Sequence, residues 1–324
     1  MSDLTNTKPL INDNKSFTID SDSKTVKQIA WVFPGQGSQT LGMGLDLLPY
    51  PFARARLQQA QNILGWSVPE VCQDQAQLSC TLYTQPCLYV VQTLRAELMR
   101  NQGYQPDLVA GYSLGEYAAL YAAGAFDFAT GLHLIKRRAE IMNRTRLGRM
   151  VALIGFEPEQ LQQQILHTPQ VWRVNDDLTV AIIAGTPLAV ESLLAKVEAR
   201  RVIPLSVSAA FHTPLMVAAA EEFQQILEST SFDSLEIPVL SSTELIPTVD
   251  IDRLKESLIR QMSRPVRWRA VSLSLATQGI KEVVEIGPGR DLIKQMKRIC
   301  PELALTNISN LSQVQKNLSL DRAA

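Results

Sequence analysis

Leu108-Val-Ala-Gly-Tyr-Ser-Leu-Gly115 is the stretch of sequence that decides the fold. Its first four residues are an apolar run typical of a buried strand, and small, helix-forming residues follow from Glu116 to Ala123. Between them, the pattern G-x-S-x-G allows a sharp turn from strand to helix. This turn would expose the Ser113 hydroxyl at a helix N-terminus, where free N–H groups favour an anion. The stretch predicts a serine nucleophile, with a plain glycine-flanked turn as the alternative.

Strands and helices alternate on both sides of this turn. Ile29-Ala-Trp-Val-Phe33 is a second apolar, β-prone run, and it leads into a glycine-rich loop at 34–39. Strands that alternate with long helices are typical of a parallel sheet covered on both faces, so we expect a large α/β domain. Its predicted helices are Ala53–Leu64, Gln85–Gln102, Glu116–Ala123 and Phe128–Met142, and its later strands are Val239–Ser242 and Glu282–Ile286.

Shorter elements occupy residues 149–207. Their predicted order is strand, helix, strand, strand, helix, strand, which matches the ferredoxin-like split motif. We expect them to form a small domain inserted into the large domain, which would cover 29–148 and 208–312. Residues 1–28 are polar and predict a disordered tail, and 313–324 a C-terminal tail. The predicted elements are Met150–Gly155, Glu157–His167, Val171–Val174, Val180–Ala184, Pro187–Ala199 and Val202–Val207.

The composition excludes several classes of protein. In the 324 residues, 31 Lys and Arg against 32 Asp and Glu give a net charge of −1, so the whole chain has no electrostatic attraction for nucleic acid or an anionic membrane. No apolar run approaches the roughly 20 residues of a membrane-spanning helix. The N-terminal stretch lacks the apolar segment of a secretory signal. We expect a soluble, cytoplasmic protein without a nucleic-acid or membrane partner.

The cysteines do not indicate a metal site. None of the four forms a C-x-x-C pair, and no histidine lies at zinc-finger spacing from them. We expect free thiols in a reducing compartment and no bound metal. The four residues are Cys72, Cys80, Cys87 and Cys300.

A serine nucleophile needs a base, and the chain has three histidines. His133 lies within a predicted helix, and His167 at a helix end where a solvated side chain is ordinary. His212 follows the last strand of the predicted small domain, in the loop that returns to the large domain. A cleft between the domains would lie there, so His212 is the expected base, with a structural loop histidine as the alternative.

Five motifs, in this order, resemble those of the malonyl-CoA:acyl carrier protein transacylases. The resemblance covers the chain from about Ile29 to Asn310 and implies an α/β-hydrolase-like large domain beside the ferredoxin-like one. The motifs are Phe33-Pro-Gly-Gln-Gly-Ser-Gln39, Gly111-Tyr-Ser-Leu-Gly-Glu-Tyr117, Lys136-Arg-Arg-Ala-Glu-Ile-Met142, Ala210-Phe-His-Thr-Pro-Leu-Met216 and Glu285-Ile-Gly-Pro-Gly289.

The resemblance implies a catalytic dyad and an oxyanion site. Ser113 would be acylated and His212 would be its base, while the backbone carbonyl at Gln261 would orient the imidazole. The backbone N–H groups of Gln36 and Leu114 would hold the oxyanion. The implied reaction is ping-pong transfer of a malonyl group from coenzyme A, through a seryl ester, to the phosphopantetheine thiol of an acyl carrier protein, in fatty acid or polyketide biosynthesis.

Arg138 matches the arginine that binds the free carboxylate of the malonyl group. A guanidinium can bind a carboxylate through two parallel hydrogen bonds, which a lysine cannot copy. Without the resemblance, the residue would be assigned to a solvated basic helix face. The segment from Lys136 to Arg149 carries six basic residues and one acid, and some of them would dock the acidic carrier protein or the coenzyme A phosphates.

Several residues near the implied site depart from the family pattern. Tyr112 stands where the family has histidine, and it is expected to reshape the acyl pocket together with Phe211 and Asn175. Asn175 is followed by Asp176 and Asp177 where the family has further amide residues. Since the dyad and Arg138 are kept, these departures indicate altered tuning of the site rather than lost activity.

Two other functions remain as alternatives. An acyl hydrolase, or carrier-editing paralogue, would use water in place of the carrier thiol, but neutral acyl chains would leave Arg138 without a partner. A non-catalytic carrier-binding protein would have no need of the dyad. We expect a monomer that requires no cofactor beyond its two substrates.

Overall fold

Two β-sheets, one parallel and one antiparallel, organise the chain. The computed structural model describes residues 28–145, 148–207, 209–310 and 313, so nearly all of both predicted tails lies outside it. Within the described part, the strands are β1 (Ile29–Phe33), β2 (Leu108–Gly111), β3 (Arg149–Phe156), β4 (Val171–Arg173), β5 (Val180–Gly185), β6 (Ala199–Pro204), β7 (Val239–Leu240), β8 (Glu282–Ile286) and β9 (Ala304–Ile308).

Helices cover the parallel sheet on both faces. One face of β1 directs Trp31 and Phe33 into the larger apolar core, and the other directs Ala30 and Val32 into a second core. In the described residues, the helices are α1 (Pro51–Leu64), α2 (Val68–Val71), α3 (Gln75–Leu78), α4 (Thr81–Asn101), α5 (Gly115–Ala122), α6 (Phe128–Arg144), α7 (Pro158–Leu166), α8 (Pro187–Leu194), α9 (Val217–Ser229), α10 (Ile251–Ser263), α11 (Trp268–Thr277) and α12 (Asp291–Ile299).

The parallel sheet has the strand order β7-β2-β1-β8-β9. Its central strand β1 pairs Phe33 with Gly111 of β2 and Val32 with Glu285 of β8. Because parallel strands all point the same way, the loops after β1, β2 and β8 meet at one edge of the sheet. Ligands of open parallel sheets bind beyond this carboxyl edge, and the glycine-rich loop and the serine turn both lie there.

The antiparallel sheet has the order β4-β5-β3-β6, with α7 after β3 and α8 after β5. This is the ferredoxin-like arrangement, in which the first and third strands of the motif are central. The predicted α/β architecture, a parallel sheet with helices plus a small ferredoxin-like sheet, is confirmed.

Two elements of this small sheet differ from their predicted positions. The helix expected to reach Ala199 ends at Leu194, and the strand expected at 202–207 is β6 at Ala199–Pro204. β6 is an edge strand, with Arg200, Arg201 and Val202 exposed. Charged residues are common in edge strands because they discourage pairing with other chains, but in the sequence they resemble a polar helix end.

The turn after β2 leaves no room for side chains at its two glycines. A Cβ atom at Gly111 would lie 2.1 Å from the Glu116 amide nitrogen, and one at Gly115 would lie 2.0 Å from the Phe33 carbonyl oxygen. Both neighbours are backbone atoms, which cannot rotate away. The G-x-S-x-G spacing is therefore a requirement for packing α5 against β1.

We predict that Gly115→Ala destabilises the protein by about 3 kcal/mol or more, because a rigid backbone contact must be broken. Urea denaturation would measure the change in the free energy of unfolding. Gly65→Ala is the matched control: Gly65 has φ 86°, but a Cβ atom there would meet no neighbouring group within 4 Å, so only backbone strain of about 1–2 kcal/mol is expected. Equal losses in the two variants would contradict the steric explanation.

Candidate active site

Ser113 lies at the strand-to-helix turn between β2 and α5. Its φ of 53° is in the left-handed region, which few residues other than glycine adopt. The residue is 7% exposed and lines a cavity at the carboxyl edge of the parallel sheet. Strained backbone of this kind persists only where the surrounding structure enforces it, here through the close packing of Gly111 and Gly115.

His212 is the histidine that meets the serine. Its Nε2 atom lies 2.9 Å from Ser113 Oγ, and its backbone also has a positive φ, 63°. Its Nδ1 atom lies 2.8 Å from the Gln261 carbonyl oxygen. Since a carbonyl can only accept, we assign the ring proton to Nδ1, which leaves the Nε2 lone pair toward Ser113. The other histidines are elsewhere, His133 within α6 and His167 exposed after α7.

Burial keeps His212 neutral. It lowers the pKa of the imidazole to about 4, and the positive charge of Arg138 acts in the same direction. The proton on His212 is therefore lost well below neutral pH, and the ring is an unprotonated acceptor at pH 7.

The end of α10 explains how Gln261 can hold the histidine. The last four carbonyls of a helix have no partner within it, and Gln261 is two residues before the end of α10 at Ser263. The neighbouring carbonyl, of Met262, accepts from the His212 backbone N–H at 3.2 Å. A helix end thus supplies one free carbonyl to the backbone of His212 and another to its ring.

Arg138 reaches the dyad from α6. Its Nη2 atom donates to Ser113 Oγ and to Gln261 Oε1, both at 3.1 Å, and its Nη1 atom donates to Gln85 Oε1 at 2.6 Å. The guanidinium also lies 5.5 Å from the ring centre of Tyr117. Arg138 is 1% exposed, and this burial lowers its pKa. The side chain is not on a solvated helix face, which was its assignment from local sequence alone.

Gln261 contributes more than its carbonyl. Its side-chain Oε1 accepts from Arg138, and its Nε2 donates to the Ser113 carbonyl at 3.1 Å. These side-chain contacts were not predicted from the sequence, and neither was any role for Gln85. A glutamine in the last turn of one helix and another inside α4 give no local pattern that distinguishes them from surface residues.

The glycine-rich loop after β1 brings Gln36 to the same cleft. A hydrogen bond from α4 holds the loop, since Gln92 Nε2 donates to the Pro34 carbonyl at 2.6 Å. The Gln36 side chain donates to Thr81 Oγ1 at 3.0 Å. Leu114 is buried and immediately precedes the first residue of α5, so its backbone belongs to the same turn as Ser113.

The dyad opens into a cavity of about 470 Å³ between the two sheets. Phe211 and Tyr112 line it, and the Tyr112 ring packs against Trp268 with centroids 6.1 Å apart. Asn175 also lines it, but its amide holds the loop between β4 and β5: Nδ2 donates to the Val180 carbonyl at 2.7 Å, and Oδ1 accepts from the Ile182 N–H at 2.8 Å.

The two aspartates after Asn175 join the loop between β4 and β5 to two helices, α11 and α12. The Asp176 carboxylate accepts from the N–H groups of Arg269 and Ala270, at 2.8 and 3.0 Å, and so caps the N-terminus of α11. Asp177 forms an ion pair with Arg298 of α12, at 3.4 Å. Asp176 and Asp177 therefore have structural roles, because they link the loop after β4 to α11 and α12.

Most basic side chains between Lys136 and Arg149 form ion pairs or hydrogen bonds with other residues of the chain. Arg137 pairs with Glu140, Arg144 with Glu222 and Arg149 with Glu191, while Lys136 donates to the Ile63 carbonyl. Arg146 lies outside the described residues. Three of the six basic residues are therefore paired with nearby carboxylates and Arg138 is buried, whereas Lys136 keeps its positive charge.

Neither a metal cluster nor a membrane-spanning helix is found in the described residues. They contain no group of three or more His, Cys, Asp or Glu side chains placed to hold a metal ion. Nor do they contain a helix that is both long and apolar enough to cross a membrane.

Comparison with known proteins gives consistent matches over the described fold. The family model for the acyl transferase domain matches residues 30–317. The chain is 50% identical over 287 residues to a Synechocystis protein named malonyl CoA-acyl carrier protein transacylase, covering 88% of this chain and 98% of that one. It is 38% identical to PksC of Bacillus subtilis, a polyketide biosynthesis malonyl CoA-acyl carrier protein transacylase, over 84% of this chain and 96% of that one.

Solved structures give the same result. The crystal structure of the Synechocystis malonyl-CoA:ACP transacylase matches with a TM-score of 0.87 and 49% identity, over 89% of this chain and 99% of that one. A malonyl-transacylase solved in complex with its acyl carrier protein matches with a TM-score of 0.84 and 31% identity, over 90% of this chain and 99% of that one. On sequence and on structure, this chain belongs to the malonyl-CoA:acyl carrier protein transacylases of the acyl transferase family.

Proposed function

We propose that the protein transfers a malonyl group from coenzyme A to the phosphopantetheine thiol of an acyl carrier protein. The observation that carries the proposal is a buried guanidinium beside a serine–histidine pair. Arg138 Nη2 lies 3.1 Å from Ser113 Oγ, which lies 2.9 Å from His212 Nε2. An acyl group attached to Ser113 that carries its own carboxylate would place that charge within reach of the guanidinium.

In the proposed first half-reaction, Ser113 Oγ attacks the thioester carbonyl of malonyl-CoA while His212 Nε2 takes its proton. The new imidazolium then gives this proton to the departing coenzyme A sulfur. The Gln261 carbonyl holds the Nδ1–H through both changes of charge, since it accepts from that atom in either state. In the second half-reaction the carrier thiol attacks the seryl ester by the same route in reverse.

We propose the backbone N–H groups of Gln36 and Leu114 as the donors to the oxyanion. The Gln36 side chain is hydrogen-bonded to Thr81, so we propose that Gln36 acts in the cleft through its backbone N–H. Leu114 is at the N-terminus of α5, where unpaired N–H groups and the helix dipole favour negative charge. No step requires a metal or a cofactor, and we propose a monomeric, cytoplasmic enzyme.

The first test is covalent. Incubation with malonyl-CoA should raise the intact mass of the chain by one malonyl group, and Ser113→Ala should show no adduct because the acceptor oxygen is gone. Addition of a phosphopantetheinylated carrier protein should then remove the adduct and label the carrier. An adduct lost to water at the same rate without the carrier would favour an acyl hydrolase, and no adduct at all would refute the proposal.

The second test concerns the substrate carboxylate. Arg138→Ala should lower kcat/KM for malonyl-CoA relative to acetyl-CoA by about 100-fold, equivalent to about 3 kcal/mol for two charge-assisted hydrogen bonds. Arg95→Ala is the matched control, because Arg95 is equally buried but pairs with Asp46, outside the cleft. It should lower stability and leave the ratio unchanged. A similar change of the ratio in both variants would contradict the role of Arg138.

The third test is the pH dependence of the base. Since the His212 pKa is lowered to about 4, the unprotonated base persists as pH falls, and its loss begins only near that value. The acid limb of kcat/KM should therefore lie well below the ordinary histidine pKa of about 6.5. His167→Gln, at an exposed histidine, should leave the limb in place. A limb centred near pH 6.5 would contradict the assignment of His212 in this environment.

A further inference from the structure

A buried carboxylate, Glu116, lies in the turn that carries Ser113 and has no part in the proposed reaction. It is 2% exposed and belongs to the first turn of α5, three residues after Ser113. Its Oε1 atom accepts from the Ser242 backbone N–H at 3.0 Å and from the Ser242 hydroxyl at 2.9 Å. Hydrogen bonds of this kind hold a carboxylate in place inside a protein, but do not by themselves explain why a charge is placed there.

Arg138 needs a negative charge that its direct partners do not supply. It donates to two amide oxygens and one hydroxyl, all neutral, and forms no ion pair in the part of the chain that the structure describes. Its Nε–H is buried and has no hydrogen-bond partner there. A buried guanidinium without a compensating charge is costly, because both its hydration and its counterions are lost.

Glu116 is the carboxylate that interacts with this guanidinium. Burial raises the pKa of Glu116, and the charge of Arg138 opposes that rise; burial lowers the pKa of Arg138, and Tyr117 and then Glu116 oppose that fall. Gln261 lies beside both groups, since its Oε1 accepts from Arg138 Nη2 at 3.1 Å and its Nε2 donates, at 3.1 Å, to the Ser113 carbonyl that also accepts from the Glu116 backbone N–H. In the described residues the two groups form no ion pair with each other, and both contact Ser113, Arg138 through the hydroxyl oxygen and Glu116 through its backbone N–H.

Arg138 is the one charged group that acts on Glu116 within the described residues. The other polar groups facing it, Ser242 from the loop after β7 and Gln261 from α10, are neutral. Arg267 lies on the far side of Ser242, where it donates to the carbonyl oxygen at 3.0 Å. Tyr117, on α5 itself, and His212 interact with Arg138. Burial is the largest influence and raises the pKa of Glu116 to about 7.

Substrate changes the charge balance of this pocket. When a malonyl carboxylate pairs with Arg138, an ionised Glu116 would leave two carboxylates sharing one buried cation. Like charges in a site of low dielectric constant disfavour double ionisation, and one of the two groups takes up a proton. The substrate carboxylate has the direct contact with the guanidinium, so Glu116 is the group that is neutralised.

We propose that Glu116 is an exchangeable counter-charge for Arg138, negative in the free enzyme and protonated when a malonyl group occupies the site. The proton comes from solvent, and the pocket stays neutral in both states. This inference rests on the proposed function, and it makes Glu116 a positioning residue that acts through Arg138 without touching the substrate. Its consequence is that malonyl binding is linked to the uptake of a proton.

The direct test measures that proton. Wild-type enzyme in excess is mixed with malonyl-CoA at pH 7.5, in weak buffer with a pH-indicator dye. Conversion of a thioester and a hydroxyl into an ester and a thiol neither consumes nor releases a proton, so the dye reports on protein groups. We expect uptake of a substantial fraction of one proton per malonyl group in the wild type and none in Glu116→Gln. Intact mass of the same samples shows whether acylation occurred.

A second measurement uses the ratio of kcat/KM for malonyl-CoA to that for acetyl-CoA, in which ionisations common to both substrates cancel. In the wild type the ratio should fall about tenfold per pH unit above pH 7, as binding comes to require an added proton. It should be flat in Glu116→Gln and should keep its slope in Glu116→Asp. Ser242→Ala removes a hydrogen bond that favours the ionised form, so the fall should begin at a higher pH.

Glu285→Gln is the matched control. Glu285 is also fully buried, and burial likewise raises its pKa to about 7, but its carboxylate accepts from the N–H groups of Leu292 and Ile293 at the start of α12. The proton uptake and the slope should persist in this variant.

The outcomes separate the two proposals. Absence of a malonyl adduct on the wild type would refute the proposed function itself. An adduct that forms without proton uptake, or uptake that persists in Glu116→Gln, would refute the role of Glu116 alone. If Glu116→Gln does not fold, the test is the pH at which the kcat/KM ratio begins to fall in Ser242→Ala. A fall that begins at the same pH as in the wild type would overturn the inference.

Discussion

The need to hold a charged guanidinium inside the protein organises the centre of this molecule. Arg138 is almost fully buried, and its hydrogen-bond acceptors come from α4, α10 and the turn before α5. Each acceptor is a buried polar group that would itself be costly without a partner. These hydrogen bonds therefore fix the three elements relative to α6, which carries Arg138. The residues packed around them are mostly apolar.

The same arrangement accounts for two strained residues. Ser113 and His212 both have positive φ values, and the backbone of each forms a hydrogen bond with a residue of the same helix, α10. The Ser113 carbonyl accepts from Gln261 Nε2, and the His212 N–H donates to the last turn of α10. One helix end therefore supports both members of the pair, so the distance between Oγ and Nε2 depends on where α10 ends.

Much of this could be predicted from sequence because strong local signals coincide with it. Apolar runs beside glycine-rich turns mark β1 and β2, and a chain with three histidines offers few partners for Ser113. The rest depends on long-range contacts. Gln85, Glu116 and the side chain of Gln261 look like ordinary helix residues, and only the fold brings them to Arg138. The β9 strand was not predicted either, since its five residues include Thr306 and Asn307 and lack the apolar run that marks β1 and β2.

The glycines on either side of Ser113 have a consequence for redesign of the site. Gly111 and Gly115 are locked by close backbone atoms, whereas Tyr112, between them, projects its ring toward the cavity and Trp268. Even there, Gly35 leaves the ring its space, since a Cβ atom at that position would lie 3.0 Å from Tyr112 Cδ1. In this turn, positions 111 and 115 accept no side chain, whereas the side chain at position 112 lies against the cavity. A substitution at position 112 would therefore change the wall of the cavity without adding a side chain at either glycine.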